Sequence, residues 1–348
     1  MSTPESEAPK PHQRRVRYQG KNPRKFEDKY KELNPERYAE TVAKVRASGK
    51  TPAGQHVPIM VHEIMQALKP MPGERALDCT LGYGGHAGEL IKAVQPGGCL
   101  LGLDQDPFEI EKTEARLRGL GFPAESLHVN RINFAGMRRA LADLEWNDGV
   151  DVILADLGLS SMQIDNPARG FSFKHEGPLD MRMNPQRGVP VSDLLLKLNA
   201  EKLAEILTEN ADEPRADVLA TALTQRSFAT TTQLAKAVRM ALPYASDEEQ
   251  KDNTIRRVFQ ALRIAVNEEF TVLDAWLRDL PACLRPGGRV AVLTFHSGED
   301  RRVKKAFQNG LREGAYRDTS DEIIRASNAE VRDNPRASPA KLRWAVRA

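Results

Sequence analysis

A chain of 348 residues, 40% hydrophobic and 28% charged, has room for two domains of ordinary size and the composition of a soluble globular protein. No apolar run approaches the roughly 18 residues that a membrane span requires, and MSTPESEAPK lacks the apolar core of a secretory signal, so the expected location is cytoplasmic. Net charge is only +3, but it is uneven: residues 1–55 hold 13 Lys or Arg against 7 Asp or Glu, and the remainder is net negative.

The basic segment interleaves its charges with Tyr18, Phe26, Tyr30 and Tyr38. Residues 1–55 are therefore expected to form an N-terminal extension without a fixed fold, either a phosphate-neutralising, base-stacking arm or a solvated tail. Next, VPIMVHEIMQAL has helical spacing, and an alternation begins: RALDCT as strand, HAGELIKAV as helix, GCLLGLD as strand, PFEIEKTEARLRGL as helix, SLHVNR as strand, FAGMRRALADL as helix and VDVILADL as strand. Strands separated regularly by helices predict a mainly parallel, doubly wound sheet.

The alternation stops after Leu157. A turn-rich stretch and helical segments follow to about Lys251, and then one long helix, the turn RPGG and the strand RVAVLTF resume the pattern. Residues 161–251 are thus expected to be an inserted helical subdomain, with 56–160 and 252–348 forming the α/β domain. KLRWAVR reads as a last strand, antiparallel at the sheet edge. Cys79, Cys99 and Cys283 lack metal-ligand spacing and read as free thiols, and the seven histidines form no close cluster, so no metal is expected.

The first strand ends in LDCTLGYGGHAGEL, a glycine turn running into a helix. Glycine permits positive φ and close approach of a ligand, and the helix N-terminus offers free N–H donors. Asp104, ending the second strand, stands where an acid accepts the hydroxyls of an adenosine ribose, whereas Asp106 before Pro107 reads as a helix cap. A nicotinamide dinucleotide and S-adenosylmethionine both suit this pattern. The absent third glycine and the PGG turn favour the methyl donor.

HVPIMVHE, DCTLGYGGH, ILADLGLSSMQIDNPARGFSF, GPLDMRMNP, DNTIRRVFQALRIAVNEE, PGGRVAVLTFHSGEDR and NPRASPAKLR, in this order, closely resemble the bacterial RsmH (MraW) family of ribosomal RNA methyltransferases. The resemblance implies a Rossmann-like S-adenosylmethionine-dependent methyltransferase sheet with an inserted all-helical subdomain. It also implies methylation of the exocyclic N4 of a decoding-centre cytidine in 16S ribosomal RNA, within the small ribosomal subunit. By the same resemblance, Gly84, Gly85 and His86 contact the cofactor, Asp104 holds the ribose, Phe134 lies against the adenine, and Asp156 and Gln163 complete the pocket. Gly298 stands where the family usually has leucine, and the basic extension is longer than usual.

A cytosine amino group is a poor nucleophile because its lone pair is delocalised, so an acceptor on its N–H is expected to help the attack. Asp156, ending the fourth strand, or a neighbouring backbone carbonyl is the expected acceptor; alternatively Asp156 binds the next turn. Asp180 and Arg182 are expected to shape the RNA pocket or to form an ion pair within the insert. His296 is expected to face substrate, or to sit beside a helix start capped by Ser297 and Asp300. A DNA cytosine amino-methyltransferase would place Pro-Pro-aromatic after Asp156, where Leu157 and Gly158 stand. A non-catalytic ribosome-binding protein retaining the fold is the other alternative.

Overall fold

The computed structural model describes residues 58–224, 226–243 and 247–348. The basic extension and His56 lie outside the described residues.

Seven strands form one sheet: β1 (Arg75–Asp78), β2 (Cys99–Asp104), β3 (Leu127–Arg131), β4 (Val150–Asp156), β5 (Leu284–Thr294), β6 (Tyr316–Thr319) and β7 (Lys341–Arg347). Their order is β3-β2-β1-β4-β5-β7-β6. The first five are parallel, and β7 runs antiparallel to both β5 and β6. The expected last strand is therefore antiparallel but internal. The edge is β6, whose YRDT has too little apolar pattern to announce itself. RPGG is not a separate turn either: it lies inside β5, as an irregularity between the Val150–Leu284 and Val152–Arg289 pairings.

Side chains along each strand alternate between two buried faces, which is why these strands read as nearly continuous apolar runs. On one face Leu77, Leu101, Ile153 and Val290 cluster with Trp276 and Leu280. On the other, Ala76, Leu100, Leu154 and Ala291 cluster with Ile64 of α1 (Val61–Leu68) and with Leu90 and Ile91 of α2 (Gly85–Val94). Two further helices connect the first strands, α3 (Ile110–Arg118) and α4 (Met137–Asp143).

The chain leaves the sheet after Asp156 and returns at Leu284. Between them lie α5 (Ser161–Asp165), α6 (Val191–Lys197), α7 (Ala200–Ala211), α8 (Ala216–Leu223), α9 (Thr231–Ala241), α10 (Glu248–Asn267) and α11 (Glu269–Cys283). Phe171, Leu207, Leu219 and Leu234 form a separate core there with Ile255, Val258 and Leu262 of α10. The expected boundary after residue 251 falls within α10, and the helix packs on the insert. The single long helix expected here is two. Glu268 adopts φ 51°, its N–H bonding Ala265 O and Ile264 O, and the chain turns so that Leu273 and Trp276 of α11 reach the sheet. Beyond β5 lie α12 (Ser297–Arg312) and α13 (Asn328–Asp333). Among the described residues no helix is long and apolar enough to cross a membrane.

Candidate functional site

Strand order reverses between β1 and β4, and a cavity of about 790 Å³ opens beyond the carboxyl ends of β1, β2, β4 and β5. This is where an open parallel sheet binds its ligands. Gly84, Gly85, His86, Asp104, Phe134, Asp156 and Gln163 all line it.

The glycine turn is held from outside. Leu81 N–H donates to Leu103 O (2.8 Å), Gly82 N–H to Asp104 Oδ2 (2.7 Å), and Thr113 Oγ1–H to Gly82 O (2.6 Å). The Arg116 guanidinium covers the Tyr83 ring at 3.4 Å. Gly84 caps α2 at φ 77° with no side-chain cap, so the first N–H groups of that helix remain donors for a ligand. A Cβ on Gly84 would stand 2.8 Å from Thr113 Cγ2. Gly84→Ala is expected to cost about 2 kcal/mol or more through positive φ and crowding together, read as a lower Tm in thermal unfolding.

Asp104 is an anchor of this loop as well as a cavity wall. Its Oδ1 accepts from Asp106 N–H (2.8 Å), and burial pushes its pKa up to about 6 against the pull of those N–H bonds. The regular helix α3 starts only at Ile110, later than expected, but Asp106 caps the turn leading into it, its backbone O accepting from Ile110 N–H (3.3 Å). Asp106 is also buried, with Oδ1 accepting from Phe108 N–H (3.0 Å) and Oδ2 accepting from Gln163 Nε2 (2.8 Å) and Arg169 Nη1 (2.7 Å). Gln163 Oε1 accepts from Ser160 N–H (3.1 Å), completing a capping box that starts α5. Both ends of the Gln163 amide are thus engaged within the protein. Phe134 meets Trp276 edge-on, with ring centroids 5.9 Å apart.

Three groups converge under the cavity floor. His86 is buried, and its Nε2 is 2.9 Å from Ile59 O, so that nitrogen carries the proton and Nδ1 is left as an acceptor. Burial lowers its pKa. Nδ1 faces Asp156 Oδ2 at 3.6 Å. Asp156 is fixed by its backbone, whose N–H donates to Thr80 Oγ1 (2.7 Å), while Oδ1 is buried without a hydrogen-bond partner among the described residues. Burial, then the nearby Glu299 charge, pushes the Asp156 pKa up to about 7. Asp78 below it is pushed to about 6 by burial, held back by His86.

The far wall contains residues not anticipated from sequence. Arg263 of α10 and Glu269, Phe270 and Glu299 line it. The Arg263 guanidinium forks onto Glu269, Nε to Oε1 and Nη2 to Oε2, both 2.8 Å. Glu299 accepts from Phe295 N–H (2.8 Å) and lies 3.2 Å from His296 Nε2. His296, Arg263 and that N–H keep the Glu299 carboxyl below its ordinary range despite burial. The cap of α12 is His296, whose Nδ1 accepts from Glu299 N–H (3.4 Å), not the Ser297–Asp300 pair expected. Asp300 instead binds Arg343 Nε (2.7 Å). The signal was present: a polar cap three residues before a glutamate. A Cβ on Gly298 would stand 2.5 Å from Phe270 Cζ, so the ring occupies the space a leucine there would need.

Asp180 and Arg182 are not at the cavity. They form a bidentate pair of 2.7 and 2.8 Å, and Arg182 Nη1 bonds Gly188 O (3.2 Å), closing a loop of the insert. His296 stands behind Glu299 and does not line the cavity.

A sheet of this order, with a glycine turn after β1 and an acid ending β2 beneath one cavity, defines a Rossmann-like methyltransferase domain. Residues 53–348 match the model of the MraW methylase family, and the chain belongs to that family. It is 47% identical over 344 residues to "Ribosomal RNA small subunit methyltransferase H 2" of Alkaliphilus metalliredigens, covering 97% of this chain and 98% of that one. It is 47% identical to "Ribosomal RNA small subunit methyltransferase H 1" of Agathobacter rectalis, covering 97% and 99%. A relative named "Ribosomal RNA small subunit methyltransferase H", from Prosthecochloris aestuarii, is 38% identical and covers 83% of this chain and 94% of its own. The first two matches are long enough to take in most of the basic extension, which is therefore shared with some relatives.

Proposed function

We propose that the protein is a small-subunit ribosomal RNA methyltransferase of the cytoplasm. In this reading it uses S-adenosylmethionine to methylate the exocyclic N4 of a decoding-centre cytidine in 16S RNA within the small subunit. The family and the names of the relatives support the broader part of this reading. The observation that carries the chemistry is the Asp156 carboxylate, which lines the cavity beside the glycine turn with 22% of its side chain exposed.

The donor set suits such a cofactor: uncapped N–H groups at the start of α2, the Asp104 carboxylate and the Phe134 ring. When bound, S-adenosylmethionine supplies an electrophilic methyl group. Gly84, Gly85 and His86 would hold its methionine end, Asp104 its ribose and Phe134 its adenine, with Gln163 fixing the adjoining wall. The Asp156 carboxylate accepts a hydrogen bond from the target N4–H. This draws the nitrogen toward tetrahedral geometry and gives the departing proton a destination. A carboxyl titrating near neutrality is matched to that task.

Labelled S-adenosylmethionine, the protein and small subunits lacking the modification are expected to yield label in N4-methylcytidine, identified by nucleoside mass spectrometry. Asp104→Ala is expected to weaken cofactor binding at least tenfold. Label in another nucleoside, or none from cofactor-loaded protein, would sink the proposal.

A further inference from the structure

The cavity has two sides, set by strand order. The glycine turn, Asp104 and Phe134 follow β1, β2 and β3, whereas Glu299 follows β5, and Asp156 ends β4 between them. The side beyond Asp156, away from the proposed cofactor contacts, is walled by α10 and α11, which bring Arg263 and Glu269. A target base presented to Asp156 would enter on that side.

Cytosine presents a donor at N4 and acceptors at N3 and O2; uracil presents an acceptor at position 4 and a donor at N3. A site that accepts from N4 must therefore donate to N3 to recognise cytosine as a whole. Arg263 is suited to that donation. Its side chain is 15% exposed, and its fork onto Glu269 fixes the guanidinium plane through Nε and Nη2. Nη1 has no hydrogen bond among the described residues, and Arg263 lines the cavity. Glu299 lines the same cavity as Asp156 and Arg263 and acts electrostatically on both. Arg256, the other α10 arginine at the cavity, is exposed and bonds Asn253 (2.8 Å), a position suited to backbone rather than base edge.

Resting on the proposed methylation of a cytidine, we infer that Arg263 is the residue that selects the base: its Nη1–H donates to the pyrimidine N3 while Asp156 accepts from N4. Glu269 is then a positioning residue, holding the guanidinium in plane. Uracil would set an acceptor against Asp156 and a donor against Arg263, and leaving both polar groups unmatched is how a buried site rejects a near-isostere.

The test uses full-length protein saturated with S-adenosylhomocysteine and titrated calorimetrically with cytidine 5′-monophosphate or its 3-deaza analogue, in which C–H replaces N3. The wild type is expected to prefer cytidine monophosphate by about tenfold, the low end of discrimination for a lost hydrogen bond to a charged group. The double variant Arg263→Met/Glu269→Gln, which leaves neither charge unpaired, is expected to bind both nucleotides equally while keeping its affinity for S-adenosylhomocysteine. A merely structural Arg263 would weaken both nucleotides in proportion and preserve the preference. That result, a wild type without preference, or no measurable binding of cytidine monophosphate overturns the assignment. If the double variant fails to bind S-adenosylhomocysteine, Arg263→Lys takes its place, with a reduced preference expected and an unchanged one counting against. The small-subunit labelling assay separates the two levels: N4-methylcytidine formed by a wild type without preference refutes Arg263 alone, whereas no N4-methylcytidine refutes the functional reading beneath it.

Discussion

Asp156→Asn is expected to lower methyl transfer by about a hundredfold or more, the range for loss of a positioned proton acceptor, and at the same time to make the unliganded protein more stable at pH 8. The second effect follows from the sign of the pKa shift. Asp156 is raised from 3.8 to about 7 by burial and by Glu299, so between those values the folded protein binds more protons than the unfolded chain. Stability therefore falls as pH rises through that window, and the penalty is complete above pH 7. Asparagine does not titrate. The variant should match the wild type near pH 4 and exceed it at pH 8 by about 1–3 kcal/mol, less than the full shift implies because 22% of the side chain is exposed. Thermal unfolding across pH 4–8 checks this as a few degrees of Tm. A gain largest in acid would show that the carboxylate is not strained by burial.

Arg169→Ala is expected to be the most damaging single change to the fold outside the hydrophobic cores. Its side chain is 11% exposed and that of Asp106 only 1%. One guanidinium nitrogen bonds Asp106, while the other bonds Arg182 O (3.1 Å) and Met183 O (2.8 Å). Truncation strands a buried carboxylate and frees two carbonyls, a loss of about 3–5 kcal/mol. Met183 N–H donates to Asn267 Oδ1 (2.7 Å), so the damage should reach the end of α10. Denaturant unfolding should show a lower midpoint, and hydrogen exchange should quicken around Arg182 and Met183. Adding Asp106→Asn should recover part of the loss; a double variant weaker than the single would refute the stranded-charge account.

Local patterns made the sheet legible. β1, β2, β4 and β5 are buried on both faces, and the glycine turn and Asp104 stand where that sheet requires them. What stayed hidden depended on partners distant in sequence. Asp106 has the local form of a cap, and only Arg169 and Gln163, 63 and 57 residues away, give it its other role. The Glu268 break interrupts an unbroken helical period, because the demand to pack α10 on the insert and α11 on the sheet is tertiary. Arg263 and Glu269 read as ordinary charges on a helix until the fold turns them toward a cavity. The Asp180–Arg182 pair followed the second of its two readings: two residues apart, they form an ion pair within the loop that contains them.

The long excursion between β4 and β5 also bears on how the protein is made. Partners such as Ile153 and Val290 sit side by side in the middle of the sheet yet are well over a hundred residues apart in the chain. On a ribosome, β1 to β4 emerge first and must wait with one flank of the sheet unpaired, while the insert, whose contacts are nearer in sequence, can compact meanwhile. A collapsed insert brings the ends of the excursion together, and because loop entropy rises only logarithmically with length, that shortening matters less than the direction it gives to α11. Completion of the cavity is thus timed by the late synthesis of β5: until it docks, Glu299 and Asp156 do not share a cavity.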